Sequence, residues 1–137
     1  TCVYAETCGG NSIIEHNGDV YCCDHFVYPE YKLGNIAGTD LREMMNSPVQ
    51  TKFGISKRNG LPKKCIRCRY AFACHGECPK HRFNRTESGE TGLNALCDGY
   101  YKFYSHVEPY MEKMKEFLVE KKAPANIIPW ARARAAK

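Results

Sequence analysis

Apolar residues in the first third of the chain come in short runs set off by turn formers. Ser12, Ile13 and Ile14 lead into His16-Asn17-Gly18-Asp19, and Val20 and Tyr21 lead out. This predicts a β-hairpin over residues 11–22, with Asn-Gly at its centre suited to a two-residue type I′ turn. Residues 24–38 hold Pro29, Gly34, Gly38 and scattered aromatics without a period, and read as loop. Asp40 and Glu43 have the spacing of a capping box ahead of Leu41, Met44 and Met45. Ser47-Pro48 starts a second helix that ends before Asn59-Gly60. From Gly99 the period becomes helical, with Tyr100, Phe103, Tyr104 and Val107 on one stripe. Pro109 is expected to break or kink that run. Met111, Met114, Phe117 and Leu118 mark a further amphipathic stretch to about Lys122, and both stripes read as core packing. Residues 123–137, with two prolines and an Ala-Arg alternation, are expected to be a flexible tail, Arg132, Arg134 and Lys137 included.

These elements add up to one small, irregular α+β domain over residues 1–137: a β-hairpin plus short helices. The apolar runs are too short for a large core, and mean hydropathy is -0.53. Nine cysteines can supply the missing stability as crosslinks. The expected fold therefore wraps around two metal clusters.

The formal charge of +5 invites a nucleic-acid reading. Eight thiolates on two clusters would lower it to on the order of +1, so neither a nucleic-acid partner nor a membrane partner is expected. No run is long and apolar enough to span a bilayer, and no signal peptide is seen. The chain opens at Thr1-Cys2, so a C-terminal piece of a longer enzyme is expected.

Three explanations compete for Cys2, Cys8, Cys22, Cys23, Cys65, Cys68, Cys74, Cys78 and Cys97. Disulfides need an oxidising compartment, and an odd count leaves one thiol over. Zinc is a stronger rival, since Cys65-x2-Cys68 is half of a common zinc site. The run Cys65-x2-Cys68-x5-Cys74-x3-Cys78-Pro79 favours iron–sulfur clusters. Two-cluster ferredoxins carry a compact run that also ends x3-Cys-Pro, and its fourth cysteine ligates the other cluster. By that analogy Cys65, Cys68 and Cys74 hold one cluster, completed by Cys97, while Cys78 crosses to a second. Cys2, Cys8 and one of Cys22 and Cys23 join Cys78. Neighbouring strand residues face opposite ways, so only one of that pair reaches the metal, and the pattern leaves the choice open.

The spacing Cys8-x9-Gly18-x4-Cys23, followed by the run from Cys65 to Cys78 and then Cys97, resembles the SPASM domain. That domain carries the auxiliary clusters of certain radical S-adenosylmethionine enzymes. The resemblance implies Cys23 rather than Cys22 as ligand, and Cys2 as first ligand of the cluster nearer the substrate. It thus implies two [4Fe–4S] clusters, one on Cys2, Cys8, Cys23 and Cys78, the other on Cys65, Cys68, Cys74 and Cys97.

The segments Tyr21-Cys22-Cys23-Asp24-His25-Phe26-Val27, Lys32-Leu33-Gly34-Asn35-Ile36, Leu96-Cys97-Asp98-Gly99-Tyr100-Tyr101-Lys102 and Glu108-Pro109-Tyr110-Met111 resemble anaerobic sulfatase-maturating enzymes. That family implies a cytoplasmic oxidoreductase, expected as a monomer, that converts a cysteine or serine of a sulfatase polypeptide to formylglycine. S-adenosylmethionine and a third [4Fe–4S] cluster would sit on a CxxxCxxC motif in a barrel of the same enzyme. This chain lacks the motif, because no cysteine follows Cys78 near Arg82 or Phe83, so it is not expected to be catalytic alone. Asp24 matches the aspartate proposed in the family as the base that deprotonates the substrate; its other reading is a turn residue bonding backbone N–H groups. The clusters would carry electrons or serve structure. The alternatives are a zinc-binding interaction module, with zinc also able to enter thiolate sites emptied in air, or the SPASM domain of a different peptide-modifying enzyme. The histidines, His75 included, and the basic residues Arg67, Arg69, Lys80 and Arg82 read as packing or solvated residues.

Overall fold

Strand β1 (Ile13–Ile14) pairs antiparallel with β2 (Asp19–Tyr21), Ile14 opposite Val20. The computed structural model, which describes residues 2–135, forms this hairpin with a different turn. Gly18 N donates to Glu15 O at 2.9 Å, which puts His16 and Asn17 at the turn's centre. Within the turn only Gly18 has a positive φ, 83°. The loop is thus a three-residue turn closed by a left-handed glycine, rather than type I′ over Asn17-Gly18. The Asn17 side chain explains the change: its Oδ1 accepts the Asp19 N–H at 3.0 Å, an Asx-turn made with negative φ.

Part of the expected loop 24–38 is also a strand. β3 (Lys32–Asn35) extends the sheet in the order β1-β2-β3, with a bulge between Val20 and Tyr21. Its sequence, Lys-Leu-Gly-Asn, has one apolar residue and no alternation, so periodicity misses it. Polar pairing fixes it instead. Asp19 Oδ1 lies 2.6 Å from Lys32 Nζ and accepts Asn35 Nδ2 at 2.9 Å. These bonds, the Lys32 one first, hold the Asp19 carboxyl below its usual range. Its contribution is therefore full above the ordinary carboxylate pKa and is lost as pH falls through the depressed value. The urea midpoint of the metal-free, reduced chain should fall from about pH 6 to about pH 3, and fall less in Asp19→Asn. An equal fall in both proteins would contradict this.

Helix α1 (Leu41–Met45) starts as expected, with Asp40 Oδ1 accepting Arg42 N at 2.7 Å. Helix α2 (Pro48–Asn59) starts at Ser47, whose Oγ accepts Gln50 N at 3.2 Å. Its buried face is Gln50, Phe53, Gly54 and Lys57, a helical stripe that is half polar. The short helices α3 (Lys63–Ile66) and α4 (Ala71–Cys74) follow. A second hairpin, β4 (Asn84–Arg85) with β5 (Thr91–Leu93), had no counterpart in the sequence reading. The core is small: Val20, Cys22, Met44, Phe53, Tyr70, Cys78 and Leu93. The rings of Phe26, Tyr31 and Phe53 meet edge to face, with centroids 5.1–5.5 Å apart.

Two compact units result, Thr1–Cys97 and Asp98–Lys137. Helix α5 (Cys97–Val119) runs through Pro109 without ending. A proline inside a helix removes one N–H and leaves the carbonyl four residues back without its helical donor, here that of Ser105. Ser105 Oγ itself bonds back to Tyr101 O at 2.8 Å. The stripe along α5 is not closed into a core, since Phe103 and Leu118 are 56% and 60% exposed. Helix α6 (Ile127–Ala135) lies within the segment expected as a flexible tail. Pro129 falls in its first turn, where no N–H is required, and alanine and arginine are good helix formers. The Trp130 ring meets Tyr110 edge-on at 5.7 Å. Ala136 and Lys137, the end of that tail, lie outside the described residues. No described helix is long and apolar enough to cross a membrane.

Candidate metal centre

Of Cys2, Cys8, Cys23 and Cys78, Cys8 is the one within electrostatic reach of the other three. Cys2 opens a 3-10 turn, Cys2–Tyr4. Cys8 is docked on the helix backbone, its N–H donating to Gly54 O at 3.0 Å. A Cβ at position 54 would lie 2.5 Å from Cys8 O, so only glycine lets this loop approach. Cys22 and Cys23 follow β2 in irregular backbone, so the strand alternation expected for them does not apply. Cys22 is fully buried in the core, with its N–H on Tyr31 O at 3.0 Å and its carbonyl on Gln50 Nε2 at 3.3 Å. Cys23 turns outward, and its carbonyl accepts Phe26 N at 3.0 Å.

The thiols respond to one another in the same grouping. Burial pushes Cys8 up; Lys57 opposes it, and Cys78 and Cys2 add to it. Burial drives Cys23 to about 11, with Asp24 and Cys8 adding and the backbone N–H of His25 opposing. Cys78 is raised by burial, with Cys2 again contributing. Cys22 is raised by burial, and no other cysteine acts on it.

Cys65, Cys68, Cys74 and Cys97 form the second group. Cys65 lies in α3, Cys74 ends α4, and Cys97 opens α5. Burial raises Cys65 to about 11, with Cys97 the next contributor and Cys74 and Cys68 behind it. Burial also raises Cys74, and Cys68 adds to it. Tyr70 N donates to Cys68 Sγ at 3.4 Å. A thiol held near 11 keeps its proton at neutral pH, so a cationic centre must displace that proton before the sulfur becomes a ligand.

The chain passes from one group to the other through His75, Gly76 and Glu77. All three are left-handed, with φ of 46°, 69° and 54°. This geometry costs about 1–3 kcal/mol at each non-glycine residue. A Cβ at Gly76 would collide with Leu61 and Arg82. Arg82 offsets the strain: its guanidinium donates to His75 O at 2.8 Å, Gly76 O at 2.9 Å and Glu77 O at 3.0 Å. A further bond, 2.5 Å, reaches Lys57 O. Glu77 is buried, and its carboxylate accepts Asn94 Nδ2 at 2.7 Å and lies 2.8 Å from His81 Nδ1.

Sequence reasoning missed three residues here. Arg82 is part-buried rather than solvated. Lys57 is 1% exposed, and its ammonium donates to Cys2 O at 2.8 Å and Val3 O at 2.9 Å. His25, rather than His75, meets a cysteine, with Nδ1 3.3 Å from Cys78 Sγ. The only signal for Lys57 was its place on the Gln50-Phe53-Gly54-Lys57 stripe, which a purely apolar period rejects. Lys80 is also engaged, over the Tyr28 ring at 4.4 Å.

Asp24 is exposed, and Cys23 Sγ donates to its Oδ1 at 3.1 Å. That bond holds the Asp24 carboxyl below its usual range, with His25 adding through its charge and backbone N–H. Asp24 thus lies in a turn beside a candidate ligand.

The donor set fits an iron–sulfur centre chemically. It is all thiol, no disulfide joins any of the described cysteines, and buried cations stand ready for an anionic group. Among the described residues, no three Cys, His, Asp or Glu side chains meet as they would around a single metal ion.

Known proteins agree with this chemistry. Residues 2–69 match the model of SPASM, an iron–sulfur cluster-binding domain. A serine-type anaerobic sulfatase-maturating enzyme of Bacteroides thetaiotaomicron is 56% identical over 93% of this chain, which spans 31% of that relative. A cysteine-type enzyme of Clostridium perfringens is 28% identical over 80% of this chain and 29% of its own length. Among solved structures, native anSMEcpe with bound AdoMet superposes with a TM-score of 0.69 at 26% identity, over 82% of this chain and 30% of that one. Over residues 2–69 the chain is therefore similar to the SPASM iron–sulfur cluster-binding domain.

Proposed function

We propose that the chain is the auxiliary-cluster part of a radical S-adenosylmethionine enzyme that oxidises a sulfatase residue to formylglycine. Cys2, Cys8, Cys23 and Cys78 hold one [4Fe–4S] cluster, and Cys65, Cys68, Cys74 and Cys97 hold the other. The observation that supports this reading is the pattern of mutual influence, Cys8 with Cys2, Cys23 and Cys78, and Cys65 with Cys68, Cys74 and Cys97, with Cys22 left in the core. Higher identity to a serine-type enzyme than to a cysteine-type one favours serine as the client residue.

Turning an alcohol into an aldehyde removes two hydrogens. One leaves as an atom, taken by the radical made from S-adenosylmethionine in the barrel that completes the enzyme. The other leaves as a proton and an electron. Asp24 takes the proton, and the bound clusters would supply an acceptor for the electron. Four cysteines per cluster leave no iron open to substrate, which favours electron transfer over substrate binding.

Metal content and product test this together. Anaerobic reconstitution of the chain should give about eight irons and broad absorption near 400 nm. About two zincs in protein made with ample iron and without oxygen would establish the rival interaction module. The full-length enzyme should convert a serine-containing sulfatase peptide to an aldehyde that a hydrazine traps. Iron-loaded enzyme that leaves both serine and cysteine peptides unchanged would point to a different peptide client.

A further inference from the structure

Between the two cysteine groups lies one short connection, and one side chain holds all of it. Cys74 belongs to the second group and Cys78 to the first. The three residues that separate them are left-handed throughout, and the carbonyl of each accepts a bond from Arg82. The fourth bond of the guanidinium goes to Lys57 O, on the helix that carries Gly54 and the docked Cys8. Arg82 thus touches backbone on both sides of the junction.

Its direct hydrogen-bond partners are all neutral. All four bonds of Arg82 go to neutral carbonyls, and so do both bonds of the buried Lys57 ammonium. Among the described residues, neither cation forms an ion pair with a carboxylate. The two like charges also oppose each other, Arg82 lowering Lys57. Buried charge of one sign calls for charge of the other sign nearby. The groups around Arg82 that favour its charged form are thiols from both sets: Cys65 and Cys74 from one, Cys8 and Cys78 from the other. Lys57 faces Cys8, Cys2 and Cys78, all of the first set.

We propose that Arg82 is a positioning residue shared by both centres: it locks the left-handed turn that aims Cys74 and Cys78 apart, and its charge balances both anionic clusters at once. Lys57 is the corresponding cation of the first centre alone. This rests on the reading that the two groups hold clusters. A cation beside a cluster stabilises the reduced, more negative form, so its removal lowers the reduction potential.

The test is a reductive titration of the anaerobically reconstituted full-length enzyme, followed by electron paramagnetic resonance, with iron counted in every sample. Arg82→Gln should move the potentials of both auxiliary clusters downward, each by roughly a tenfold change in reduced fraction at fixed potential, or about 59 mV for one electron. Lys57→Gln should move only one of them. Arg82→Lys keeps the charge but loses the fork of bonds, so it should keep both potentials while lowering the thermal midpoint. If Arg82→Gln fails to hold iron, full iron and wild-type potentials in Arg82→Lys still support the shared charge. Unchanged potentials in Arg82→Gln, a shift in one cluster only, or equal loss of iron in the Gln and Lys variants would overturn it. Wild-type enzyme short of about eight irons beyond its radical-generating site would defeat the cluster reading itself, before any variant is compared.

Discussion

Cys23→Ala is expected to remove one whole cluster, about four irons, from anaerobically reconstituted enzyme, while Cys22→Ala removes none. The two thiols are neighbours in sequence but differ in burial, Cys22 buried and Cys23 half-buried. Cys22 has no exposed surface, and no other cysteine influences it. Cys23 interacts with Cys8, which in turn interacts with Cys2 and Cys78. Alanine at 22 leaves a small void under the sheet, at a cost of about 1 kcal/mol. Alanine at 23 leaves three thiolates where four would close the site, so the cluster loses a protein ligand. The thermal midpoint therefore separates from the iron count: Cys22→Ala lowers the first and spares the second. Loss of iron in Cys22→Ala with full iron in Cys23→Ala would reverse the ligand assignment.

The second large effect is expected at Asp24. In the full-length enzyme Asp24→Asn should lower aldehyde formation by roughly 10²–10⁴-fold, the usual range for a general base, with iron content unchanged. The geometry supplies the reason. In the metal-free chain the Cys23 thiol donates its proton to Asp24 Oδ1. Ligation of Cys23 removes that proton and leaves an exposed carboxylate, adjacent in sequence to a cluster ligand, free to accept another. Asparagine keeps the size and the turn bonds but cannot take a proton at neutral pH. If Asp24 serves only the turn, Asp24→Asn should work at the wild-type rate and Asp24→Ala should lose stability. Cleavage of S-adenosylmethionine, which precedes proton removal, should persist in Asp24→Asn.

What the sequence made legible was local or countable. The Asp40 and Ser47 caps need two or three residues each, and both helices start where those residues stand. The hairpin at 11–22 follows from Ile13, Ile14 and Val20, although Asn17 chose a different turn through its own side chain. Cysteine spacing, with the family resemblance, offered two sets of four thiols, because ligand order along the chain survives irregular backbone. Strand β3 was missed because Lys32 and Asn35 are held by Asp19, a polar signal with no period. Lys57 and Arg82 were missed for a related reason. Their burial is set by backbone carbonyls of Cys2, Val3 and residues 75–77, and carbonyls are identical at every position of a sequence. Helix α6 was hidden by Pro129, which is harmless in a first turn and disruptive elsewhere.

The passage from Cys74 to Cys78 has a topological consequence. If each group is closed by its cluster, the loop from 2 to 78 and the loop from 65 to 97 overlap, neither nested nor separate, as the stems of an RNA pseudoknot do. A nick at any bond between residues 65 and 78 then leaves neither group whole on one piece, yet both clusters still rivet the two pieces together. Closing one loop also shortens the free chain that the other must close, and shorter loops cost less entropy to close. Filling of the two centres should therefore be cooperative even without direct contact between them, with half-loaded protein scarce relative to the empty and full forms.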